Sequence, residues 1–238
     1  MQSREGRFVR FFYCTALSLL TVTLLCSGCG NSSTTKTQLR ALQASPNETT
    51  TVDISLDSTA LFSTLALGSP TNYMTVTAGS HTLQVEPSGS TTTSINQSIT
   101  FNASTNYTLI TTNYAANLTP MLLTDNTTAP SSGNFNIRIA NAAVEAGSVD
   151  VYILPAGSSG PSSGGVTPTI AALGFTSSSS YQSLAAAAYE IVVTPAGYPV
   201  VQYINSGSLS FAAGQNRTFA ILPNASGGLT SVTLNDLN

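Results

Sequence analysis

The chain has 238 residues, of which 42% are hydrophobic and only 7% are charged, and its net charge is −3. Disordered proteins combine low hydrophobicity with high net charge, so this composition predicts a folded protein. No cluster of Lys and Arg follows the first ten residues, which argues against the basic surface that nucleic-acid-binding proteins need.

The N-terminal segment predicts export. Three basic residues, Arg4, Arg7 and Arg10, precede an apolar run of 15 residues, 11–25. A helix that spans a bilayer needs about 20 apolar residues. A signal peptide instead combines a basic start, a shorter apolar run and a cleavage site of small residues. We therefore predict that residues 1–28 are a signal peptide.

The next residue is Cys29, preceded by the small residues Ser27 and Gly28. This arrangement resembles the lipobox of bacterial lipoproteins, although Cys26 stands where that pattern usually has Leu. The resemblance implies that the chain is cut before Cys29 and that its thiol is joined to a lipid, which would hold the protein on a membrane. The alternative is an ordinary cleaved signal peptide followed by an accidental cysteine.

The residues after Cys29 extend this prediction. Gly30, and not Asp, comes next, and the resemblance to lipoproteins then implies the outer membrane. Residues 29–38 are small and polar, which predicts a flexible stalk. Because Cys14 and Cys26 leave with the signal peptide, the exported part has no disulfide and depends on packed cores for its stability.

The exported part of the chain repeats itself. Residues 73–89 return as residues 181–197, without a gap and at an offset of 108. We predict a first copy over residues 39–126 (copy 1), a linker over 127–134 and a second copy over 135–238 (copy 2). Each copy has the usual size of a single domain.

Hydrophobic residues alternate with polar ones in each copy, as in Val52, Ile54 and Leu56. This period of two predicts half-buried strands, and turn residues recur every eight to twelve positions. The fold class predicted is all-β, with two immunoglobulin-like β-sandwiches of about seven strands each in tandem. Residues 157–165, GSSGPSSGG, are an insertion found only in copy 2, and their composition predicts a passive surface loop.

The repeat unit resembles a family recorded only as a domain of unknown function, number 4397, in bacterial envelope proteins. Its copies occur in tandem behind a signal peptide or lipobox, and the resemblance covers the chain from Leu39 nearly to Asn238. It implies a β-sandwich and no activity. The motifs that carry it are Arg40, Ala44-Ser45-Pro46 and Val52-Asp53-Ile54 in copy 1, and Arg138, Val149-Asp150-Val151-Tyr152 and Tyr189-Glu190-Ile191-Val192-Val193 in copy 2.

Charged residues also recur at equivalent positions. They are Arg40, Glu48 and Asp53 in copy 1, and Arg138, Glu145 and Asp150 in copy 2. If the first two strands of each copy form a hairpin, Arg and Asp face each other across it, and we predict structural ion pairs at a strand edge. The alternative is a calcium site, but calcium takes six to eight oxygen ligands, and two carboxylates beside an Arg are a poor supply.

No residue pattern predicts an enzyme. His81 is the single histidine, and its counterpart in copy 2 is Tyr189, so a role as general acid or base is improbable. Zinc needs several His or Cys ligands, which the exported part does not contain. The exported part also lacks a phosphate-binding glycine loop and a Cys-x-x-Cys motif. We predict no catalysis, no metal and no cofactor.

The function predicted is that of a lipid-anchored protein of the bacterial cell envelope with a structural, adhesive or protein-interaction role. Its partners would be the membrane, through the lipid on Cys29, and an envelope protein or polysaccharide, but not nucleic acid. The alternative is a carbohydrate-binding module at the cell surface. That module would use the tyrosines or the loops around Gly157–Gly165.

Overall fold

The computed structural model describes residues 35–46, 51–90, 92–161 and 165–237. The predicted signal peptide, Cys29 and Glu48 lie outside these residues. Within them almost every segment is a strand, a turn or a bend, and no helix is long and apolar enough to cross a membrane. The chain is therefore all-β in the part that the structure describes, as predicted.

Copy 1 contributes eight strands within the described residues. Short 3₁₀ segments cover Ala115–Asn117 in copy 1 and Val144–Ala146 in copy 2. The strands of copy 1 are β1 (Lys36–Gln43), β2 (Val52–Leu56), β3 (Thr59–Leu65), β4 (Met74–Thr77), β5 (Gly79–Pro87), β6 (Ile95–Phe101), β7 (Asn106–Thr112) and β8 (Thr119–Asp125).

Copy 2 repeats this set with one strand interrupted, so that β12 and β13 together replace β4. Its strands are β9 (Asn134–Asn141), β10 (Val149–Pro155), β11 (Ile170–Leu173), β12 (Ser177–Ser178), β13 (Gln182–Ala185), β14 (Ala188–Pro195), β15 (Ile204–Ser210), β16 (Asn216–Pro223) and β17 (Leu229–Leu237).

Each copy is a sandwich of two sheets with the same topology. In copy 1 the inner sheet has the order β4-β1-β7-β8 and the outer sheet the order β3-β2-β5-β6. In copy 2 the inner sheet is β12-β9-β16-β17, with β13 also paired to β9, and the outer sheet is β11-β10-β14-β15. The first strand of each copy is parallel to one of its two neighbours: β1 is parallel to β7, and β9 is parallel to β16. The predicted tandem β-sandwiches are confirmed.

The two sheets of each copy enclose a separate apolar core. Alternate residues of β1, Leu39 and Ala41, face the core of copy 1 together with Ile54 and Val85 from the outer sheet. The equivalent core of copy 2 contains Phe135 and Phe211, whose rings stack with their centroids 4.4 Å apart. Each fully buried aliphatic or aromatic side chain contributes about 1.5–3 kcal/mol.

A third apolar cluster lies between the inner sheets of the two copies. It contains the other face of β1 and β9, because residues that alternate with the core residues point the opposite way. Its members are Leu42, Ala44, Ile110, Met121 and Leu123 from copy 1, and Ala140, Ala142, Ala220, Leu222 and Leu234 from copy 2. The inner strands are therefore buried on both faces, and residues 34–238 form one compact unit with four stacked sheets.

The two copies point in the same direction along their strands. The end of β8 contacts the beginnings of β9 and β16, where the Asn216 side chain donates a hydrogen bond to the Asn126 carbonyl oxygen (2.7 Å). From there the third cluster extends along both β1 and β9, past Leu42 and Ala140. The beginnings of β1 and β9 consequently lie at one end of the unit, the proximal end, and the loop between β14 and β15 lies at the other, the distal end.

Candidate functional site: a charge cluster between the copies and an uncharged face of copy 2

Arg40 is buried between the copies. It occupies the face of β1 that points away from the core of copy 1, directly opposite Thr108 on β7. Its Nε donates a hydrogen bond to Thr108 Oγ1 (2.8 Å), and its Nη1 donates to the Asn235 carbonyl oxygen of copy 2 (2.6 Å). Its Nη2 forms a salt bridge with Asp236. Every guanidinium nitrogen thus has an acceptor.

Arg138 makes the same contacts in the reverse direction. Its Nε donates to Thr218 Oγ1 (2.8 Å), its Nη1 donates to the Thr124 carbonyl oxygen of copy 1 (2.7 Å), and its Nη2 forms a salt bridge with Asp125. Each copy therefore supplies one Arg to the other copy's Asp. This reciprocity is the geometry of a two-fold interface, here within one chain.

Two tyrosines complete the charge cluster. The Arg40 guanidinium lies 4.7 Å from the centroid of the Tyr73 ring, and that of Arg138 lies 5.0 Å from the Tyr181 ring, within the range of cation–π attraction. The Tyr73 hydroxyl donates to Asp125 Oδ2 (2.5 Å) and the Tyr181 hydroxyl to Asp236 Oδ2 (2.8 Å). Burial raises the pKa of both tyrosines, so they remain protonated donors.

The predicted pairing of Arg40 with Asp53 and of Arg138 with Asp150 is wrong. The first strand of each copy belongs to the inner sheet and the second strand to the outer sheet, so the two strands do not form a hairpin. The sequence analysis missed Asp125 and Asp236 as partners. A detectable sign was present, since each is the acidic residue near the end of its copy's last strand.

The recurring carboxylates Asp53 and Asp150 instead accept hydrogen bonds from neighbouring segments. Asp53 Oδ1 accepts from the Thr64 backbone N–H (2.7 Å) and from the Ser88 hydroxyl (2.6 Å). Asp150 Oδ1 and Oδ2 accept from the backbone N–H groups of Ala172 and Gly197, both at 2.8 Å. These carboxylates fix the chain beside the outer sheets. Glu145 is exposed in the 3₁₀ segment before β10.

Replacing Asp150 with Ala should lower the free energy of unfolding by about 1–3 kcal/mol, because two part-buried backbone hydrogen bonds to a charged acceptor are lost. Thermal unfolding with and without calcium measures this, and calcium should change neither melting temperature. Glu145→Ala is the matched control and should melt as the unchanged protein does. If calcium raises the melting temperature of the unchanged protein alone, Asp150 is a calcium ligand.

His81 is held in a structural network at the proximal end. Its Nδ1 lies 2.7 Å from Asp57 Oδ2, and its Nε2 lies 3.0 Å from the Thr77 carbonyl oxygen. Hydrogen bonds from the Thr82 backbone N–H and from His81 lower the pKa of Asp57. Both ring nitrogens therefore have oxygen partners within the protein, and His81 lines a small pocket together with Asp57 and Leu61.

The outer sheet of copy 2 has an outward face that differs from that of copy 1. Tyr152 and Val192 point away from the core, yet they are only 2% and 0% exposed. The equivalent positions in copy 1 are polar and partly exposed, including Ser55 and Gln84. Chain must therefore cover this face of copy 2.

Part of that cover comes from the insertion 157–165. Gly160 and Pro161 are buried, and a Cβ added at Gly160 would lie 3.7 Å from Gln202 Nε2 in the loop between β14 and β15. The insertion is therefore packed at these residues, and the prediction of a passive excursion does not hold there.

The loop 198–203, which connects β14 to β15 at the distal end, is exposed and apolar. Its large side chains have high exposed fractions: Tyr198 64%, Val200 69%, Val201 46% and Tyr203 38%. The equivalent loop of copy 1 begins with the same backbone hydrogen bond, from Ser90 N to the Pro87 carbonyl oxygen (2.9 Å), but its residues are Ser and Thr.

Among the described residues no group of three or more His, Cys, Asp or Glu side chains could hold a metal ion. The charged side chains between the copies are instead paired with each other and with backbone carbonyl groups. This arrangement can hold two domains together, and it offers no open coordination position.

These features define a class of protein in which two β-sandwiches are fused through their inner sheets. Residues 37–152, just under half of the chain, match the model of the family described as "Domain of unknown function (DUF4397)". The resemblance found in the sequence is confirmed. No curated protein matches the chain.

Two solved structures show a distant similarity. One is CBMbc, a family CBM26 domain of Eubacterium rectale Amy13K in complex with maltoheptaose, with 13% identity and a TM-score of 0.28 over 83% of this chain and 96% of that chain. The other is a leucine-rich repeat protein from Bacteroides thetaiotaomicron, with 10% identity and a TM-score of 0.21 over 77% of this chain and 25% of that chain.

Proposed function

We propose that this chain is a lipid-anchored, non-catalytic protein of the bacterial cell envelope, held in the outer membrane by Cys29, which presents a binding surface away from that membrane. The observation that carries the proposal is that the two ends of the double sandwich differ. The chain enters β1 at the proximal end, shortly after Cys29, whereas the exposed apolar loop 198–203 lies at the distal end.

The contacts between the copies support a structural role for the two recurring arginines. The guanidinium groups of Arg40 and Arg138 each form a hydrogen bond and a salt bridge to the other copy. A catalytic group needs a free acid, base or nucleophile within reach of a substrate, and these groups have none of that freedom. The fused sandwiches therefore serve best as a stiff spacer.

The lipid anchor is tested by metabolic labelling with a fatty-acid analogue in the unchanged protein, in Cys29→Ser and in Cys26→Ser. We expect the label in the unchanged protein and in Cys26→Ser, and its loss in Cys29→Ser, because only Cys29 follows two small residues. Separation of inner and outer membranes on a density gradient then locates the labelled protein. Label retained in Cys29→Ser would refute the anchor.

A further inference from the structure

Exposed apolar side chains are concentrated in one loop. Among the described residues six large hydrophobic side chains are exposed, and four of them are in the loop 198–203, with Val166 and Met74 as the others. Isolated exposed hydrophobic residues are ordinary, but a contiguous apolar patch marks an interaction site. The concentration in six consecutive residues needs an explanation.

Copy 1 shows that the fold does not require these residues. Its equivalent loop closes with a hydrogen bond from Ser94 N to the Val85 carbonyl oxygen (2.8 Å), as Tyr203 N does with the Val193 carbonyl oxygen (2.8 Å). The copy 1 loop achieves this with Ser and Thr alone. The turn itself therefore does not need the Tyr and Val side chains of copy 2. The insertion packs beside the loop at Gln202, but the four side chains stay exposed, which favours a ligand for them.

The charge around this loop restricts the ligand. No charged residue occurs between Glu190 and Arg217 in the sequence, and Glu190 Oε1 accepts a hydrogen bond from Asn205 Nδ2 (3.0 Å). A charged polymer would find no opposite charge on the loop itself, so neither a nucleic acid nor a charged peptide is favoured. The ligand should be neutral.

The size of the patch also restricts the ligand. The exposed parts of the four side chains amount to on the order of 400 Å², whereas a stable protein–protein interface takes about 800 Å² from each partner. The four side chains alone would make about half of such an interface, and they are large enough for a chain of two or three small rings. Gln202, which is also exposed, adds a hydrogen-bond donor and acceptor.

We infer that the loop 198–203 binds a neutral polysaccharide. The rings of Tyr198 and Tyr203 stack on the apolar faces of sugar rings, Val200 and Val201 pack beside them, and Gln202 bonds to sugar hydroxyls, which is the mixture of aromatic and polar groups that small-molecule sites use. This inference rests on the proposed display function and names its ligand class.

The test is native affinity electrophoresis of the full chain, purified in detergent, through gels that contain amylopectin, laminarin, mannan or dextran. We expect at least one polysaccharide to retard the unchanged protein, and Tyr198→Ala and Tyr203→Ala each to weaken that retardation at least tenfold. Met74→Ala removes an exposed hydrophobic side chain from copy 1 and is the matched control, with retardation unchanged. Thermal unfolding verifies that all variants are folded.

Three outcomes would overturn the inference: no retardation by any of the four polysaccharides, retardation that survives both Tyr substitutions, or loss of self-association in the Tyr variants without an effect on retardation. The last outcome would assign the loop to contacts between copies of the chain. The labelling of Cys29 is independent of all three. If the protein is labelled but not retarded, only the polysaccharide inference is refuted. If it is retarded but not labelled, only the lipid anchor is refuted.

Discussion

Replacing Arg138 with Ala should lower the free energy of unfolding by about 3–5 kcal/mol, because it leaves the Asp125 carboxylate buried without its main counter-charge. Both side chains are almost completely buried, so water cannot substitute for the guanidinium. The Thr124 carbonyl oxygen also loses its donor across the interface. Chemical denaturation, followed by circular dichroism, measures the loss.

The control for this prediction is Lys36→Ala, which removes a cation from an exposed position of β1 and should change stability little. A second comparison separates the cost of an unpaired charge from the worth of the pair. Arg138→Met combined with Asp125→Leu should be much less destabilised than Arg138→Ala, because apolar residues of similar volume often replace a buried ion pair at little cost. Equal losses in both variants would contradict this and show that the hydrogen bonds lost with Asp125, including that from the Tyr73 hydroxyl, cost as much as the unpaired charge.

Replacing Ala140 with Asp should separate the two copies. Ala140 is fully buried in the apolar cluster between the inner sheets, where a carboxylate would have no counter-charge and would cost several kcal/mol. The cores of the two sandwiches do not include this residue, so each copy should stay folded while the interface opens. Small-angle X-ray scattering should then show a longer particle.

The comparison variant is Ala103→Asp, which places the same charge on an exposed turn of copy 1. Its radius of gyration and melting temperature should match those of the unchanged protein. If Ala140→Asp shows the same radius of gyration as Ala103→Asp, the third cluster does not hold the copies together. If it melts as a whole at a much lower temperature, the copies depend on each other for folding as well as for position.

The strands were predictable because their information is local. Alternation at Val52, Ile54 and Leu56 reflects one buried face, and the structure buries those three residues. Four consecutive alanines, Ala185–Ala188, favour a helix by propensity. The structure nevertheless ends β13 and begins β14 within them, because the pairing with β9 decides their conformation. The duplication made this break between strands predictable, since the equivalent residues of copy 1 contain a turn.

The partners of the charged residues were not predictable in the same way. Arg40 and Asp236 are 196 residues apart, and nothing local to either residue indicates that the copies meet through their inner sheets. The hypothesis of a hairpin between β1 and β2 paired each Arg with the recurring Asp of the next strand along the chain. In the structure that carboxylate serves the outer sheet instead. Tyr73 and Tyr181 were visible as recurring residues, but their role required the interface.

The reciprocal contacts of Arg40 and Arg138 have a consequence for valency. A symmetric dimer of one sandwich would carry every surface feature twice, and a change in one subunit would appear in both. Joining the two sandwiches by a short linker keeps the partner at a high effective concentration while allowing the halves to diverge. The apolar loop at Tyr198 could therefore arise in one half only. The result is a particle with pseudo-two-fold architecture and a single contact point, which would engage one strand of a ligand without cross-linking two.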